Sequence, residues 1–213
     1  MLDRRRASRR ERRGYLETMI RLACKIPERV ILACSGGRDS MSVLEFLLRG
    51  RRHVEIAYFN HETEHGQEAE NHVVKTAESL GLAYHISMPF TKRRKKESLE
   101  TYWHRERHSF FEKFNVPVVL AHHLTDATEW WIFSSLRGNP NLMPVKKPNS
   151  NIIRPFLLSK KDDLHRFDRF EHIEDPSNRS VKYARNFVRK EILPLAEQVN
   201  PGLETTVRNL YNV

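Results

Sequence analysis

The stretch ACSGGRDSMSV, residues 33–43, joins an apolar run to a segment of helical periodicity through two consecutive glycines. The run RVILACS (29–35) is β-branched and apolar, which predicts a buried strand. Apolar side chains then recur at helical spacing at Met41, Leu44 and Leu48. Asp39 is placed as an N-cap and Gly50 as a helix stop. The stretch therefore predicts a strand, a tight turn and a helix in succession.

The same alternation continues along the chain. Further strands are predicted at 54–59, 82–87, 116–121 and 152–158, and further helices at 67–81, from about 98 to 115, and at 122–136. Strands that alternate with helices predict an α/β fold, a Rossmann-like doubly wound parallel sheet with helices on both faces. A Pro- and Asn-rich loop spans 139–151, and helices follow the last strand, with a break at 174–180.

This organisation predicts a basic N-terminal arm or helix (1–27), a nucleotide-binding α/β domain (28–158) and a helical C-terminal extension (159–213). The extension is too short for an independent domain of ordinary size. We expect it to pack on the sheet.

Charge composition points to a polyanionic partner. The 213-residue chain has 37 Lys and Arg against 27 Asp and Glu, a formal net charge of +10. Arginines cluster at residues 3–13, and a second basic run, TKRRKKE, occupies 91–97. We favour a nucleic acid as the partner, with solvated charged segments as the alternative interpretation. An anionic membrane surface is the competing partner, but no amphipathic helix with an exposed aromatic face supports it.

Several classes of protein are excluded by what the sequence lacks. Its two cysteines, Cys24 and Cys34, have no CxxC spacing, so a disulfide framework, a zinc site and an iron–sulfur site are not expected. The longest apolar runs, such as 116–121, are too short to cross a bilayer, and no apolar segment follows the charged N-terminus as in a secretory signal. A cytoplasmic protein without a membrane partner is therefore expected.

The glycine turn is suited to an anion. Ligands of open parallel sheets bind beyond the carboxyl ends of the strands, where this turn is predicted to lie. Gly36 and Gly37 permit positive φ and leave no Cβ in the way, while Ser35 and Ser40 add hydroxyl donors. The helix that follows points its unpaired N–H groups at the same place. Phosphate would repel Asp39, so we interpret Asp39 as a helix cap or as a magnesium ligand beside the phosphate. A plain tight turn remains the alternative to an anion site.

The turn is neither a GxxxxGK(S/T) loop nor a GxGxxG fingerprint. SGGRDS between a strand and a helix resembles the pyrophosphate-binding PP-loop of the N-type ATP pyrophosphatases. Downstream segments make the chain similar to the tRNA(Ile)-lysidine synthase family. They are NH (60–61), AHHLTDATE (121–129), LRG (136–138), MPV (143–145), IIRP (152–155), EDPSN (174–178), RNFVRKEILP (185–194) and NPG (200–202).

This resemblance implies an ATP-dependent ligase that acts on RNA. The family adenylates C2 of the wobble cytidine in a CAU-anticodon tRNA(Ile), and L-lysine then displaces AMP. It implies ATP and Mg²⁺ as cofactors, with Asp39 as the metal ligand. It also implies a minimal form without the C-terminal domains of many members, and we regard a homodimer as an open alternative.

The resemblance also implies roles for individual residues. The nucleotide-binding set is Ser35, Gly36, Gly37, Arg38, Asp39, Ser40, Asn60, His61 and His123. The substrate-binding set is Asp126, Glu129, Arg137, Arg185, Asn186 and Arg189, and the catalytic set is Asp39, Asp126, Glu129 and Arg107. Asp126 and Glu129 stand at i and i+3 of a predicted helix, so both carboxylates can converge on one cation, a lysine ammonium or Mg²⁺.

Each of these roles has a purely structural alternative. The acidic pair is alternatively a solvated helix face, and Arg107 a surface ion-pair residue. Lys182, Arg185 and Arg189 form one basic helical stripe, which we interpret as a grip on pyrophosphate or tRNA backbone, with an ordinary exposed face as the alternative.

The sequence also departs from the family pattern. Thr125, Ala127, Trp130 and His104 replace its Asp, Gln, Thr and first Arg. Alternative functions are therefore a related PP-loop enzyme that modifies another base or uses another nucleophile, and a non-catalytic RNA-binding relative.

Overall fold

The computed structural model describes residues 20–174, 176 and 184–211. Its strands are β1 (Arg29–Ala33), β2 (His53–Phe59), β3 (Tyr84–Ser87), β4 (Val118–Val119) and β5 (Ile152–Ile153). They form one sheet in the order β3-β2-β1-β4-β5, and every pairing is parallel. The predicted doubly wound parallel sheet is confirmed.

Helices connect these strands and follow the last of them. They are α1 (Arg38–Arg49), α2 (Glu64–Ser79), α3 (Leu99–Phe111), α4 (Leu124–Leu136), α5 (Lys161–His165), α6 (Ala184–Phe187), α7 (Leu193–Val199) and α8 (Leu203–Leu210), with a π-helical turn, Val188–Ile192, between α6 and α7. Within the described part of the chain, no helix combines the length and the apolar character that crossing a membrane requires.

The sheet has a core on each face because side chains alternate along its central strand. Val30 and Leu32 pack with α1 and α2 in a cluster that includes Phe46 and Phe156. Ile31 points the other way, into a cluster with Phe110 of α3. A strand buried on both faces explains the continuous apolar run that opens the chain's first βα unit.

The order of the strands positions the functional site. From β1 the chain moves outward to β2 and β3, and it then returns to place β4 on the other side of β1. The connections that leave β1 and β4 therefore diverge and open a crevice between them at the carboxyl edge. The Gly36–Gly37 turn follows β1 and His123 precedes α4, so both predicted binding segments meet at this crevice.

Among the element boundaries that differ from the predictions, two have a local reason. Helix α2 begins at Glu64 rather than residue 67, because the Thr63 side chain accepts a hydrogen bond from the Gly66 N–H and caps the helix. Strand β5 ends at Ile153 rather than 158, since Pro155 has no N–H for a sheet ladder and the chain turns there. Helix α3 ends at Phe111, before the expected 115.

The cap of α1 was predicted wrongly. Gly37, with extended backbone (φ −77°, ψ 160°), is the N-cap, and Asp39 lies in the first helical turn. Asp39 is not needed as a cap because its carboxylate is engaged by histidines from later elements.

The C-terminal helices pack on earlier helices of the chain. Helix α5 contacts α1, and both α8 and the π-helical turn contact α4. Leu164 of α5 and the nearby Phe167 belong to the same buried cluster as Val30 and Leu32 of β1. The arginine cluster at 3–13, Lys182 and most of the predicted break at 174–180 lie outside the described residues, and the three-part domain division stays a prediction.

Packing of Phe156 tests the larger core. Its ring is fully buried and meets Phe46 edge-on at 5.4 Å between centroids. We expect Phe156→Ala to lower the free energy of unfolding by about 3–5 kcal/mol, because it removes buried contacts and leaves a cavity. Urea denaturation followed by circular dichroism measures this. Leu195→Ala, at a side chain that is 61% exposed, is the control and is expected to change stability by less than about 0.5 kcal/mol.

Candidate functional site

The turn after β1 needs glycine at one position. Gly36 has φ +77°, and a Cβ there would lie 3.3 Å from side-chain atoms of Ile173 and Val73. The Ile173 N–H also donates to the Gly36 carbonyl at 3.0 Å, so the chain after α5 folds over one side of the turn. Gly37 was expected to share the positive φ, but its φ is −77°, and it serves as the helix cap instead.

Two serine hydroxyls hold the turn in shape. The Ser40 hydroxyl donates to the Gly37 carbonyl at 2.8 Å and accepts from the Ser35 N–H at 3.3 Å. The Gly37 N–H points to the Ser35 hydroxyl at 3.4 Å. Ser35 and Arg38 are exposed, so the turn is open on the side away from Ile173. The start of α1 is exposed there at Arg38, and its use as an anion site stays a prediction. Arg38 itself pairs with Asp168 at 2.6 Å.

Asp39 lies between two histidines at the start of α1. One carboxylate oxygen is 2.7 Å from His165 Nε2 and the other is 3.7 Å from His123 Nε2. Burial alone would raise the pKa of Asp39, but the hydrogen bonds and charge of these histidines, and Lys161, hold that pKa well below its ordinary value. Asp39 is therefore a carboxylate at neutral pH.

His123 links Asp39, beside the Gly36–Gly37 turn (here called the phosphate turn), to Asp126, which with Glu129 forms the acidic pair. Its Nε2 lies 3.5 Å from Asp126 Oδ2, in addition to its approach to Asp39, and the ring is buried. Burial lowers the pKa of His123, but Asp126 and Asp39 outweigh that effect and raise it above the ordinary value. The His123 N–H also donates to Asp126 at 3.0 Å, which fixes the first turn of α4.

Asp126 and Glu129 converge on one cation, as their spacing predicts, and that cation belongs to the chain itself. Arg189 contacts Glu129 at 2.6 Å and 2.9 Å in a bidentate pair, and Asp126 at 3.1 Å. Arg185 lies 3.5 Å from Asp126. Burial would raise the pKa of Asp126, but the charges of His123, His122 and Arg185 lower it. Any phosphate that the two arginines bind would compete with these carboxylates.

Arg107 of α3 is close enough to Arg185 for their charges to interact. Burial and the positive charge of Arg185 lower its pKa, while Glu100 opposes them. Arg154, at the end of β5, is buried and donates to the Pro144 carbonyl at 3.0 Å. Burial chiefly lowers the pKa of Arg154 to about 10, with Arg107 and Arg185 contributing. Burial also lowers the pKa of His122 to about 3. The charge of Arg185 therefore acts on both Arg107 and Arg154, which places three cations in one region.

The remaining predicted residues lie at the edge of the cluster or outside it. Asn60 is buried, donates to Glu70 at 2.8 Å and accepts from the Glu62 N–H, which are bonds that shape its own loop. His61 packs between Phe59 and Trp103. Asn186 follows Arg185 on α6. Arg137 is exposed at the far end of α4, roughly 17 Å of helix beyond Asp126. A role for Arg137 in substrate binding stays a prediction.

Sequence reasoning missed His165, Asp168 and Ile173. All three come from the segment after β5, and each contacts the phosphate turn or the first residues of α1. None stands in a motif or a helical pattern that marks it, so only the packing of α5 on α1 reveals these residues.

A metal ion at this site would need phosphate groups of a bound substrate as further ligands. Among the described residues, no group of three or more His, Cys, Asp or Glu side chains is arranged to hold a metal ion. Mg²⁺, however, commonly binds through one or two carboxylates together with substrate phosphates. The Asp39 side chain is 39% exposed beside the turn, so it fits the part of a single protein ligand.

Comparison with known proteins decides the family. The profile of the PP-loop domain matches residues 12–196, most of the chain. This chain belongs to the PP-loop family. Two relatives are tRNA(Ile)-lysidine synthases. That of Thermosipho africanus is 30% identical over 84% of this chain and 46% of its own length, and that of Francisella tularensis subsp. holarctica is 28% identical over 88% and 50%.

This PP-loop chain thus spans about half the length of the curated relatives that it matches. A solved structure, the NH3-dependent NAD synthetase from Campylobacter jejuni, aligns with a TM-score of 0.48 at 13% identity, over 94% of this chain and 90% of that one.

Two glycines with positive φ provide a matched test of the PP-loop turn. Gly36 (φ +77°) is crowded, whereas Gly81 (φ +64°) has nothing within 4 Å of an added Cβ. We expect Gly81→Ala to cost only the strain of a left-handed alanine, about 1–2 kcal/mol. Gly36→Ala should cost about 1–3 kcal/mol more, because Ile173 and Val73 must also move. Urea denaturation of both variants measures the difference, and equal losses would show that the turn is not crowded.

Acid stability tests the buried histidine on α3. His108 is 6% exposed and accepts a hydrogen bond at Nδ1 from the Lys147 ammonium at 3.3 Å. Burial, with His104 and Lys147, lowers its pKa to about 3. Native His108 therefore stays neutral while an unfolded chain takes up a proton below about pH 6.5. The stability that depends on neutral His108 is present above pH 6.5 and is lost as the pH falls toward 3.

We expect His108→Gln to reduce the loss of unfolding free energy between pH 7.5 and pH 5.0 by up to about 2 kcal/mol. Urea denaturation at the two pH values gives the comparison. His53→Gln, at an exposed histidine, is the matched control and should leave the pH dependence as it is in the wild type. An unchanged pH dependence in His108→Gln would contradict a neutral His108.

Proposed function

We propose that this chain ligates L-lysine to C2 of the wobble cytidine of a CAU-anticodon tRNA(Ile), with ATP as the activating substrate. The observation that carries the proposal is the convergence of Asp126 and Glu129 on one cation, next to the phosphate turn. His123 connects the two places through Asp39 and Asp126. An anion site and a cation site in one crevice suit a reaction that joins a nucleotide to an amine. The family relation to tRNA(Ile)-lysidine synthases supports this choice of substrates.

The phosphate turn supports ATP binding. Gly36 removes a Cβ from the turn, and α1 starts immediately afterwards with its unpaired N–H groups and positive dipole end. Asp39, ionised and partly exposed, would hold Mg²⁺ together with the phosphates. A bound Mg²⁺ would neutralise charge on the departing pyrophosphate. Arg107, whose charge interacts with that of Arg185, would favour the anionic end of the nucleotide.

The acidic pair supports amine binding. Arg189 lies between the buried carboxylates of Asp126 and Glu129. Its guanidinium marks the position that the ammonium group of a substrate would take. Asp126 has a lowered pKa, so at neutral pH it is a partner for a cation and a weak base. Lysine would replace Arg189 as the partner of Asp126 and Glu129, and Arg189 would become available for an anion.

The proposed reaction proceeds in two steps. The C2 oxygen of cytidine attacks the α-phosphorus of ATP and pyrophosphate leaves, which gives an adenylated base. The bound ε-ammonium of lysine gives up one proton to solvent, and the neutral amine attacks C2. The attacking nitrogen then loses a second proton to solvent, and AMP leaves with the oxygen. The residues of the crevice bind and orient the three substrates, which brings the reacting atoms together.

Lysidine formation tests the proposal directly. The protein is incubated with ATP, lysine and a CAU-anticodon tRNA(Ile) transcript, and the wobble nucleoside is analysed by mass spectrometry. We expect a gain of one lysyl group at that cytidine. Glu129→Gln should raise the KM for lysine roughly 10- to 150-fold, the value of one charge-assisted hydrogen bond, with little effect on the KM for ATP.

Glu197→Gln is the matched control, since Glu197 is exposed on α7. It should leave both KM values unchanged. ATP–pyrophosphate exchange in the presence of the tRNA separates the alternatives. Exchange without lysine incorporation would indicate another nucleophile, and absence of exchange with retained tRNA binding would indicate a non-catalytic RNA-binding relative. Either result would contradict the proposal.

A further inference from the structure

The segment Phe90–Glu97, here called the basic loop, joins β3 to α3. It carries the run TKRRKK, and the side chains of Lys92, Arg93, Lys95 and Lys96 are exposed. Loops with so many like charges repel themselves and are commonly unordered. This one is held to the protein by an extensive set of hydrogen bonds, which needs a physical explanation.

A buried carboxylate anchors the start of the basic loop. Glu106 of α3 is 0% exposed. Its Oε2 accepts from the backbone N–H groups of Phe90 and Thr91, both at 2.8 Å. Its Oε1 accepts from the Thr91 hydroxyl at 2.5 Å and from Arg105 at 2.5 Å. A buried carboxylate is costly unless such donors surround it, and the basic loop supplies most of them. The fold therefore favours one conformation of the loop.

Arginine 105 anchors the end of the same loop. Its guanidinium contacts Glu97 at 3.0 Å and 3.2 Å, and it also donates to the Lys92 carbonyl at 3.4 Å. Glu97 in turn accepts from the Arg94 N–H at 2.9 Å. The Tyr102 hydroxyl donates to the Thr91 carbonyl at 2.6 Å. Glu97 and Glu106 thus bind groups of the protein itself, and the exposed cations of the loop remain on its outer surface.

The basic loop lies at the same edge of the sheet as the candidate site. It follows β3, whose last residue, Ser87, accepts at its carbonyl from the Asn60 N–H at the end of β2. Neighbouring strands are about 4.8 Å apart, so the carboxyl ends of β3 and β1 are separated by roughly 10 Å. Trp103 of α3 packs against His61 with tilted rings, 5.1 Å apart between centroids. This contact joins α3, which anchors the loop, to the same edge of the sheet.

The exposed part of the loop also offers an aromatic ring. Phe90 is 49% exposed and lies under the Lys113 ammonium at 4.1 Å from its centroid. Cations beside exposed aromatic rings are typical of surfaces that bind single-stranded nucleic acid, where phosphates meet the cations and bases stack on the rings.

We propose that the basic loop is a preformed contact for the RNA backbone, which holds a looped RNA across the carboxyl edge of the sheet. The inference shares its partner class with the proposed function, but it concerns affinity and not chemistry. Because the loop is ordered before RNA binds, it loses little conformational entropy on binding. Its contacts are with phosphates, so the affinity that it adds does not depend on sequence.

Salt-dependent RNA binding tests the loop. The triple variant Lys92→Gln, Arg93→Gln and Lys95→Gln is compared with a control triple, Lys25→Gln, Arg51→Gln and Lys75→Gln. The control removes three exposed cations that lie before β1, between α1 and β2, and on α2. The probe is a CAU-anticodon stem-loop transcript, titrated between 50 mM and 200 mM salt by fluorescence anisotropy. We expect the loop triple to reduce the slope of log K against log salt by about 2–3, and the control triple by less than about 1.

A second variant tests whether order in the loop matters. Glu106→Gln keeps the shape but removes the carboxylate that binds both backbone N–H groups. We expect weaker RNA binding than in the wild type, with faster amide hydrogen exchange at residues 90–97. Equal RNA affinity and slope in the loop triple and the control triple would overturn the inference. So would loss of binding to phosphatidylserine vesicles without loss of binding to RNA.

These outcomes are separable from the test of lysidine formation. If the protein makes lysidine while the loop triple binds RNA as the wild type does, the loop inference fails alone. If the loop triple loses RNA binding and the wild type makes no lysidine, the loop inference stands and the proposed chemistry fails.

Discussion

The structure depends on one constraint, the need to pair buried charge at the crevice between β1 and β4. Asp39, His123, Asp126 and Arg189 form a continuous series of polar contacts that runs from α1 through α4 to the π-helical turn. Removing any member leaves a partner poorly paired, and the cost is greatest at the buried His123 and Asp126. The helices that carry these groups are therefore held in one relative arrangement, and the glycine turn is held beside the acidic pair.

This constraint holds the C-terminal part of the chain at the candidate site. Arg189 and Val188 dock on α4 together, one through Glu129 and the other through an apolar cluster with Ile132. His165 reaches Asp39 because α5 packs on α1. The extension after β5 is thus part of the site, and a ligand that displaces Arg189 from the carboxylates would also change the docking of this extension. Under the proposed function, substrate binding would be coupled to the position of the C-terminal helices through the Arg189 guanidinium.

The positive charge of the chain is divided between two physical settings. Near the crevice, the charge of Arg185 acts on both Arg107 and Arg154. At the surface, the basic loop carries solvated cations on a backbone fixed by Glu106. On the two proposals above, the first setting would take a phosphate group of the nucleotide, and the second would take the RNA backbone.

The sequence by itself determined the fold, because its patterns are local. Apolar strand runs, helical spacing and the glycine turn predicted the parallel sheet, and the i, i+3 spacing of Asp126 and Glu129 predicted that both carboxylates can converge on one cation. Only the tertiary structure decided that the cation is Arg189, that His165 engages Asp39, and that Glu106 orders the basic loop. Each of these contacts joins residues that lie far apart in sequence or in different elements. Such contacts form only when the whole chain has packed, because burial and charge pairing then decide which groups meet. No local sequence pattern therefore predicts them.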